Sequence, residues 1–174
     1  EVTIELDISN RATSLNKRDA DIALRMFRPT QPELVARRLP DIGLSIVASQ
    51  RYLSKSGDIQ GMRESSSLSI IGFDRDSQIE DVFQQYGVQV FVNDFNYRTD
   101  FLPLQIELAR QGGGLTVTHK FLLDRFSDLE EVMPGIQLPN LEFWLVCHAD
   151  VQHNRRIRVT MDYLYRRLSE LELG

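Results

Sequence analysis

The chain has 174 residues, of which 42% are hydrophobic and 26% charged, so its composition is that of a globular protein and excludes a disordered or fibrous chain. The net charge of −5 argues against a nucleic-acid-binding surface on this chain, because phosphates are neutralised by a basic patch. No apolar run approaches the roughly 20 residues of a membrane span, so no membrane contact is predicted.

The one cysteine of the chain, Cys147, excludes an internal disulfide. Its neighbours Trp144, Leu145 and Val146 are apolar, which predicts a small core residue and not a reactive thiol. The absence of a disulfide framework predicts a cytoplasmic location.

The sequence of the N-terminal part predicts a series of short strands. Val2, Ile4 and Leu6 alternate with polar residues, which is the period of a half-buried strand. Further elements are predicted as strands at residues 21–26, 34–39 and 42–49 and one helical turn at 50–54. Pro40 and Gly43 mark a break between two of these strands.

The middle of the chain alternates strands and helices. An isoleucine-rich strand is predicted at residues 68–73, a helix at 79–86 from its apolar spacing, and a strand at 88–92. Such alternation implies a mainly parallel sheet with right-handed crossovers.

Residues 93–119 predict a polar loop, a helix, a glycine turn and a strand. The apolar side chains of the helix recur at helical spacing: Leu102, Ile106 and Ala109. Thr99 or Asp100 is predicted to cap this helix, and the three glycines at 112–114 are predicted to end it. Because open α/β sheets bind ligands where a strand's carboxyl end meets a helix, this junction is a candidate binding site.

The C-terminal part contains two strong signals. Residues 121–126 predict one or two helical turns, and residues 129–136 predict a loop or short strand. Residues 142–148, which follow them, are the most apolar strand candidate of the chain. A final helix follows, with Asn154 as its predicted N-cap. Its apolar stripe consists of Ile157, Met161, Leu164, Leu168 and Leu171.

Catalytic and metal-binding patterns are not found in the sequence. His119, His148 and His153 do not have the spacing of metal ligands, and no nucleophile elbow is present. The sequence therefore predicts no metal, no cofactor and no enzymatic activity.

Several blocks of sequence resemble the effector-binding domain of LysR-type transcriptional regulators, in the expected order and over essentially the whole chain. These blocks are DADIALRMFRP at 19–29, LVARRL at 34–39, IVASQRYL at 46–53, RTDFLPLQIELARQGGGL at 98–115, and LEFWLVCHADVQHNRRIRVTMDYL at 141–164.

The resemblance implies an α/β fold of the type 2 periplasmic-binding-protein class, with two Rossmann-like lobes joined by two crossover strands around a small-molecule cleft. Lobe I would hold residues 1–43 and 137–174, and lobe II residues 44–136. It further implies that the DNA-binding helix-turn-helix and the effector domain's first strand and helix lie outside this chain.

Carried over from the family, the residues expected to line the cleft are Ser9, Asn10, Leu24, Arg25, Met26, Asp74, Arg75, Ser77, Arg98, Thr99, Asp100 and Phe101. Other interpretations stay open, because Thr99 is also a plausible N-cap, and Arg25 and Arg98 are also candidates for surface ion pairs. A carboxylate at Asp100 opposes the helix dipole, which would otherwise favour an anion by about 0.3–1 kcal/mol. We therefore expect the effector not to be a simple carboxylate unless an arginine supplies positive charge.

The function implied by the resemblance is small-molecule effector sensing and oligomerisation within a LysR-type DNA-binding regulator. The implied partners are an effector in the inter-lobe cleft, further copies of the chain in a dimer or tetramer, and DNA only through an N-terminal domain absent from this sequence. The alternative is a solute-binding protein of a transporter with the same fold.

Overall fold

The computed structural model of the protein describes residues 2–8, 20–56, 59, 68–74 and 95–173. The chain divides into two compact units, unit 1 (Glu1–Ile42 and Asn140–Gly174) and unit 2 (Gly43–Pro139), each with its own sheets and core. The assignment of these units to lobes I and II of an effector-binding domain stays a prediction.

The strands and helices of the described residues are, in chain order, β1 (Ile22–Arg25), β2 (Leu34–Ile42), β3 (Leu44–Ser49), α1 (Gln50–Ser56), β4 (Ile70–Gly72), β5 (Phe95–Arg98), α2 (Leu102–Arg110), β6 (Thr116–His119), β7 (Leu129–Glu131), β8 (Leu141–His148) and α3 (Arg155–Ser169). Single 3-10 turns lie at Lys120–Leu122 and Ala149–Val151. None of these helices has the length and apolar character needed to cross a bilayer.

Unit 1 is built on an antiparallel sheet with β8 at its centre, between β1 and β2. A central strand is paired along both edges, so it can carry a nearly continuous apolar run, and the side chains of Leu145 and Val146 are fully buried. Cys147 is buried beside them, and this burial raises the pKa of its thiol, which confirms the predicted core role.

The predicted break at Pro40 is wrong, because β2 continues through this residue to Ile42. The pairing register of β2 with β8 shifts between Leu39 and Ile42, and β2 lies at the edge of the described sheet. An edge position or an irregularity is where a strand tolerates a proline that lacks an N–H. The break at Gly43 is confirmed, since β3 begins at Leu44.

Helix α3 confirms most of the C-terminal prediction. The Asn154 side chain caps it, with Oδ1 accepting the Arg156 N–H at 2.9 Å. Met161 is buried, and the helix packs against β2. Leu171 differs from its predicted place in the stripe, because α3 ends at Ser169 and the Leu171 side chain is exposed.

In unit 2, β3 separates two apolar clusters through the alternation of its side chains. Ile46 and Ala48 belong to one cluster, which includes Tyr52 of α1, whereas Val47 belongs to the other, which includes Ile106 of α2. Successive side chains of a strand point to opposite faces, so one strand serves both clusters.

The expectation of a mainly parallel sheet is wrong for the described strands. In the described part of unit 2, β3 pairs antiparallel with both β6 and β7. The parallel pair of strands there is β4 with β5, extended by a parallel bridge from Ile70 to Leu115.

The opening residues 2–8 contradict the predicted half-buried strand. They lie in no strand, and the side chains that should face a core are exposed, 83% for Leu6. Alternation creates a buried face only where a neighbouring element covers it. The predicted helix at 79–86 and strand at 88–92 lie outside the described residues.

The glycine turn after α2 is confirmed. Gly112 and Gly114 adopt positive φ angles of 85° and 149°, which favour glycine. At Gly114 an added Cβ would collide with the backbone carbonyl of Ser69, in the segment that leads into β4.

We predict that Gly114→Ala destabilises the protein by about 1–3 kcal/mol, because the substitution adds both a steric overlap and a strained φ. The measurement is the free energy of unfolding in urea. Gly135→Ala is the matched control, since no atom lies within 4 Å of a Cβ built there. Equal stability of the two variants would contradict this role for Gly114.

Candidate functional site

The candidate site lies at the carboxyl ends of β4 and β5 in unit 2. The two strands are parallel, with Gly72 opposite Arg98, so their carboxyl ends meet at one edge of the sheet. The Thr99 N–H extends the contact by donating to the Gly72 carbonyl at 3.0 Å. Glycine is needed at position 72, because an added Cβ would overlap the ring of Phe95.

Five of the sequence-predicted site residues come together here. The backbone N–H of Asp74 donates to Oδ1 of Asp100 at 2.9 Å, which connects the loop after β4 to the loop after β5. Nε of Arg98 lies 3.7 Å from Oδ1 of Asp74. With Thr99 and the exposed side chain of Phe101, these residues form what we call the β4–β5 edge.

The ion pair at the β4–β5 edge confirms the surface ion-pair interpretation of Arg98. About half of each side chain is exposed, 44% for Arg98 and 50% for Asp74. Such pairs contribute little to stability, because water screens them and ordering the side chains costs entropy. Both charges therefore remain accessible at the surface of unit 2.

The predicted cap of α2 is wrong. Phe101 is the N-cap and makes no side-chain capping bond. The hydroxyl of Thr99 accepts the Phe101 N–H at 3.2 Å and so closes the turn before the helix, whereas the Asp100 carboxylate accepts the N–H of Asp74. Pro103 lies in the first turn of the helix, where a missing N–H breaks no helical hydrogen bond.

Gln105 is a structural residue of the site that the sequence reasoning missed. Its side chain is fully buried, donates from Nε2 to the Thr99 carbonyl at 2.6 Å, and accepts from the Thr116 hydroxyl at 3.3 Å. The loop before α2 is thereby attached to the start of β6. Its burial was indicated by its position on the apolar face of the helix, three residues after Leu102 and four before Ala109.

In unit 1, the predicted residues lie at the end of β1 and just after it. Leu24 and Met26 are partly exposed. Arg25 is only 7% exposed: its Nη1 donates to Oε1 of Gln31 at 3.5 Å, and the guanidinium lies over the ring of Phe27 at 5.5 Å. Arg25 therefore does not lie at the surface, whereas its engagement in an ion pair stays a prediction. Ser9, Asn10, Arg75 and Ser77 lie outside the described residues.

Histidine and acidic side chains do not form a metal site in the part of the chain that the structure describes, where no group of three suitable ligands occurs. Instead, His148 makes a structural contact at the end of β8. Its Nδ1 accepts the backbone N–H of Asp150 at 3.2 Å and so caps the 3-10 turn that follows.

Comparison with known proteins decides the family. The family model described as the LysR substrate binding domain matches residues 1–169. The chain belongs to this family. Its structural similarity to solved members confirms the predicted class of fold, that of type 2 periplasmic binding proteins.

Relatives of the chain are transcriptional regulators. The HTH-type transcriptional regulator CrgA of Neisseria meningitidis is 26% identical over 182 aligned positions, which cover 96% of this chain and 58% of CrgA. The structure of the CrgA regulatory domain superposes with a TM-score of 0.80 and 25% identity, covering 92% of this chain and 81% of that domain. The regulatory domain of AphB from Vibrio vulnificus, 15% identical with a TM-score of 0.74 over 95% of this chain and 84% of that one, shares the fold.

These relatives favour the first of the two predicted functions. They support an effector-sensing regulatory domain over the solute-binding protein of a transporter. The chain spans 58% of the length of the curated relatives that it matches, so the comparison covers part of such a regulator and not the whole.

We predict that Gln105→Leu destabilises the protein by about 1–3 kcal/mol, because it leaves the Thr99 carbonyl and the Thr116 hydroxyl without their buried partner. Gln111→Leu is the control, because this exposed residue follows the same helix and its side chain donates to Oε1 of Glu107 at 2.8 Å on the surface. Urea unfolding of both variants measures the difference. A cost for Gln105→Leu no greater than that for Gln111→Leu would show that the buried bridge is dispensable.

Proposed function

We propose that this chain is the effector-sensing and oligomerisation module of a LysR-type transcriptional regulator, and that the whole protein binds DNA through a separate N-terminal domain. The net charge of −5 supports a DNA contact outside this chain. The names of the regulators to which the chain is similar, and the family that it belongs to, support the regulatory role.

We propose that the effector binds at the β4–β5 edge. The observation that carries this proposal is the hydrogen bond from the Asp74 N–H to the Asp100 carboxylate, because it brings two loops that are 26 residues apart into one polar surface. A hydroxyl, a guanidinium and two carboxylates converge there beside the exposed ring of Phe101, a combination of apolar surface with a few placed polar groups.

The polar groups of the β4–β5 edge suggest the chemistry of the effector. Thr99, Asp74 and Asp100 offer acceptor oxygens, and Arg98 offers a donor beside Asp74. An effector with amine or hydroxyl donors matches these acceptors. A plain monocarboxylate would have to approach two carboxylates and compete with Asp74 for the one guanidinium among the described edge residues.

The remaining predicted positions complete the proposal. We propose that residues 1–43 with 137–174 and residues 44–136 are the two lobes of the effector-binding domain, and that Ser9, Asn10, Leu24, Arg25 and Met26 contribute contacts from lobe I. We propose that Arg75 and Ser77, which lie outside the described residues, also contribute to effector binding from lobe II. The protein is proposed to act in the cytoplasm, where its DNA target lies, to self-associate, and to sense its ligand without chemical turnover.

Effector binding regulates only if it distinguishes two states of the protein. A ligand that binds both arrangements of a regulator with equal affinity does not shift the equilibrium between them. We propose that the β4–β5 edge contacts the effector in one arrangement more extensively than in the other. The difference in binding free energy is then the signal that the DNA-binding domain receives.

The test is a thermal-unfolding screen of the chain against amines, polyols, neutral metabolites and aromatic acids. A ligand present at 100 times its dissociation constant should stabilise the native state by about 2.7 kcal/mol. We expect Asp100→Ala to weaken binding of the ligand found by at least about tenfold, which corresponds to about 1.4 kcal/mol. Arg158→Ala, an exposed charge change on α3, is the control and should leave the affinity unchanged.

Two outcomes would contradict this proposal. One is a ligand whose affinity is the same for Asp100→Ala, Arg98→Ala and the unmodified protein. The other, for the expected chemistry of the effector, is tight binding of a plain monoacid that does not depend on Arg98.

A further inference from the structure

A second concave site lies on unit 2, formed by residues other than those of the β4–β5 edge. Helix α2 contributes Leu102 and Ile106 to its wall, and the 3-10 turn with the residues after it contributes Phe121, Leu122 and Phe126. The cavity has a volume of about 350 Å³. This volume falls within the range of about 300–1,000 Å³ that is typical of small-molecule sites.

The charged groups at the rim of this cavity are already paired with each other. Nε of Arg110 donates to Oδ2 of Asp128 at 2.8 Å, and its Nη1 donates to Oε2 of Glu107 at 3.0 Å. The hydrogen bond to Asp128 raises the pKa of Arg110, so the guanidinium stays charged and committed to these carboxylates. Glu107 also accepts from Nε2 of Gln111 at 2.8 Å. An incoming ion would have to replace these bonds.

Three aromatic rings, those of His119, Phe121 and Phe126, lie in the wall of the cavity. The ring of Phe121 stacks on the imidazole of His119, with centroids 5.5 Å apart and an angle of 24° between the planes. Phe126 packs under the Arg110 guanidinium at 4.8 Å from its ring centroid. Burial lowers the pKa of His119, so its imidazole is neutral at pH 7 and acts as a flat, uncharged surface.

From this geometry we propose that the cavity beside α2 is a second ligand site, which binds a small uncharged aromatic molecule. Flat rings stack on His119 and Phe121 and contact the aliphatic side chains of α2. An anion of the same shape loses hydration without gaining an uncommitted cation, so the pocket distinguishes neutral from charged aromatics.

Indole is a suitable probe, with benzoate as a charged aromatic of similar size. Ring signals of His119 and Phe121 in NMR spectra of the whole chain should shift saturably with indole at pH 7, and at least tenfold more weakly with benzoate. Leu122→Trp should fill the cavity and weaken indole binding at least tenfold. Leu104→Trp, on an exposed part of the same helix α2, is the matched control and should bind indole like the unmodified protein.

Phe121→Ala provides a second variant in case Leu122→Trp lacks the normal unfolding transition, and it should also weaken indole binding because one stacking surface is lost. The proposal is overturned if indole produces no saturable shift up to its solubility limit, if filling the cavity leaves the affinity unchanged, or if benzoate binds equally well.

A second experiment separates a free aromatic molecule from an aromatic side chain of another copy. Sedimentation over a range of protein concentrations should show the same association with and without indole, and for Leu122→Trp. If indole or Leu122→Trp instead dissociates an oligomer, the cavity accepts a side chain of a partner copy, and the small-molecule proposal is wrong. Because the cavity shares no residue with the β4–β5 edge, failure here leaves the effector proposal intact.

Discussion

The buried amide of Gln105 is the constraint on which the candidate site depends. Its side chain is fully buried, with one donor bond to the Thr99 carbonyl and one acceptor bond from the Thr116 hydroxyl. A polar group in such a position is costly unless it is satisfied, so its geometry is tightly determined. The loop between β5 and α2 is therefore held against the strand that follows the helix.

From this anchored loop, a short series of backbone contacts defines the β4–β5 edge. Thr99 bonds to Gly72, its hydroxyl closes the turn at Phe101, and Asp100 accepts the N–H of Asp74. Two of these bonds join the loop before α2 to the end of β4 and to the loop after it, and the third fixes the turn before α2, so these groups are positioned before any ligand binds. Such preorganisation reduces the entropy that is lost when a ligand binds.

The sequence predicted features whose physical cause is local. The Asn154 cap of α3, the glycine turn after α2 and the apolar strand β8 each depend on residues a few positions apart. The meeting of Asp74, Arg98 and Thr99 at one edge was also predictable, because strand ends followed by polar residues collect at one edge of a parallel pair.

Features that depend on distant residues were not predictable from spacing. Asp100 does not cap its own helix, because it is engaged by a backbone group 26 residues earlier in the chain. Strand β5 is short and carries mostly exposed side chains, so it has no apolar pattern, and its pairing with β4 alone defines it. The antiparallel sheet around β3 likewise depends on the pairing of β3 with β6 and β7, which are distant in the chain. The local spacing of apolar residues does not indicate such a pairing.

The most direct measurement of the central claim is the backbone amide NMR spectrum of the chain with and without a ligand that stabilises it. If the β4–β5 edge holds the effector, the largest shift changes should occur at the amides of Asp74, Thr99 and Phe101, whose hydrogen bonds build the edge. Changes confined to residues remote from these loops, with all three amides unaffected at saturation, would contradict the claim.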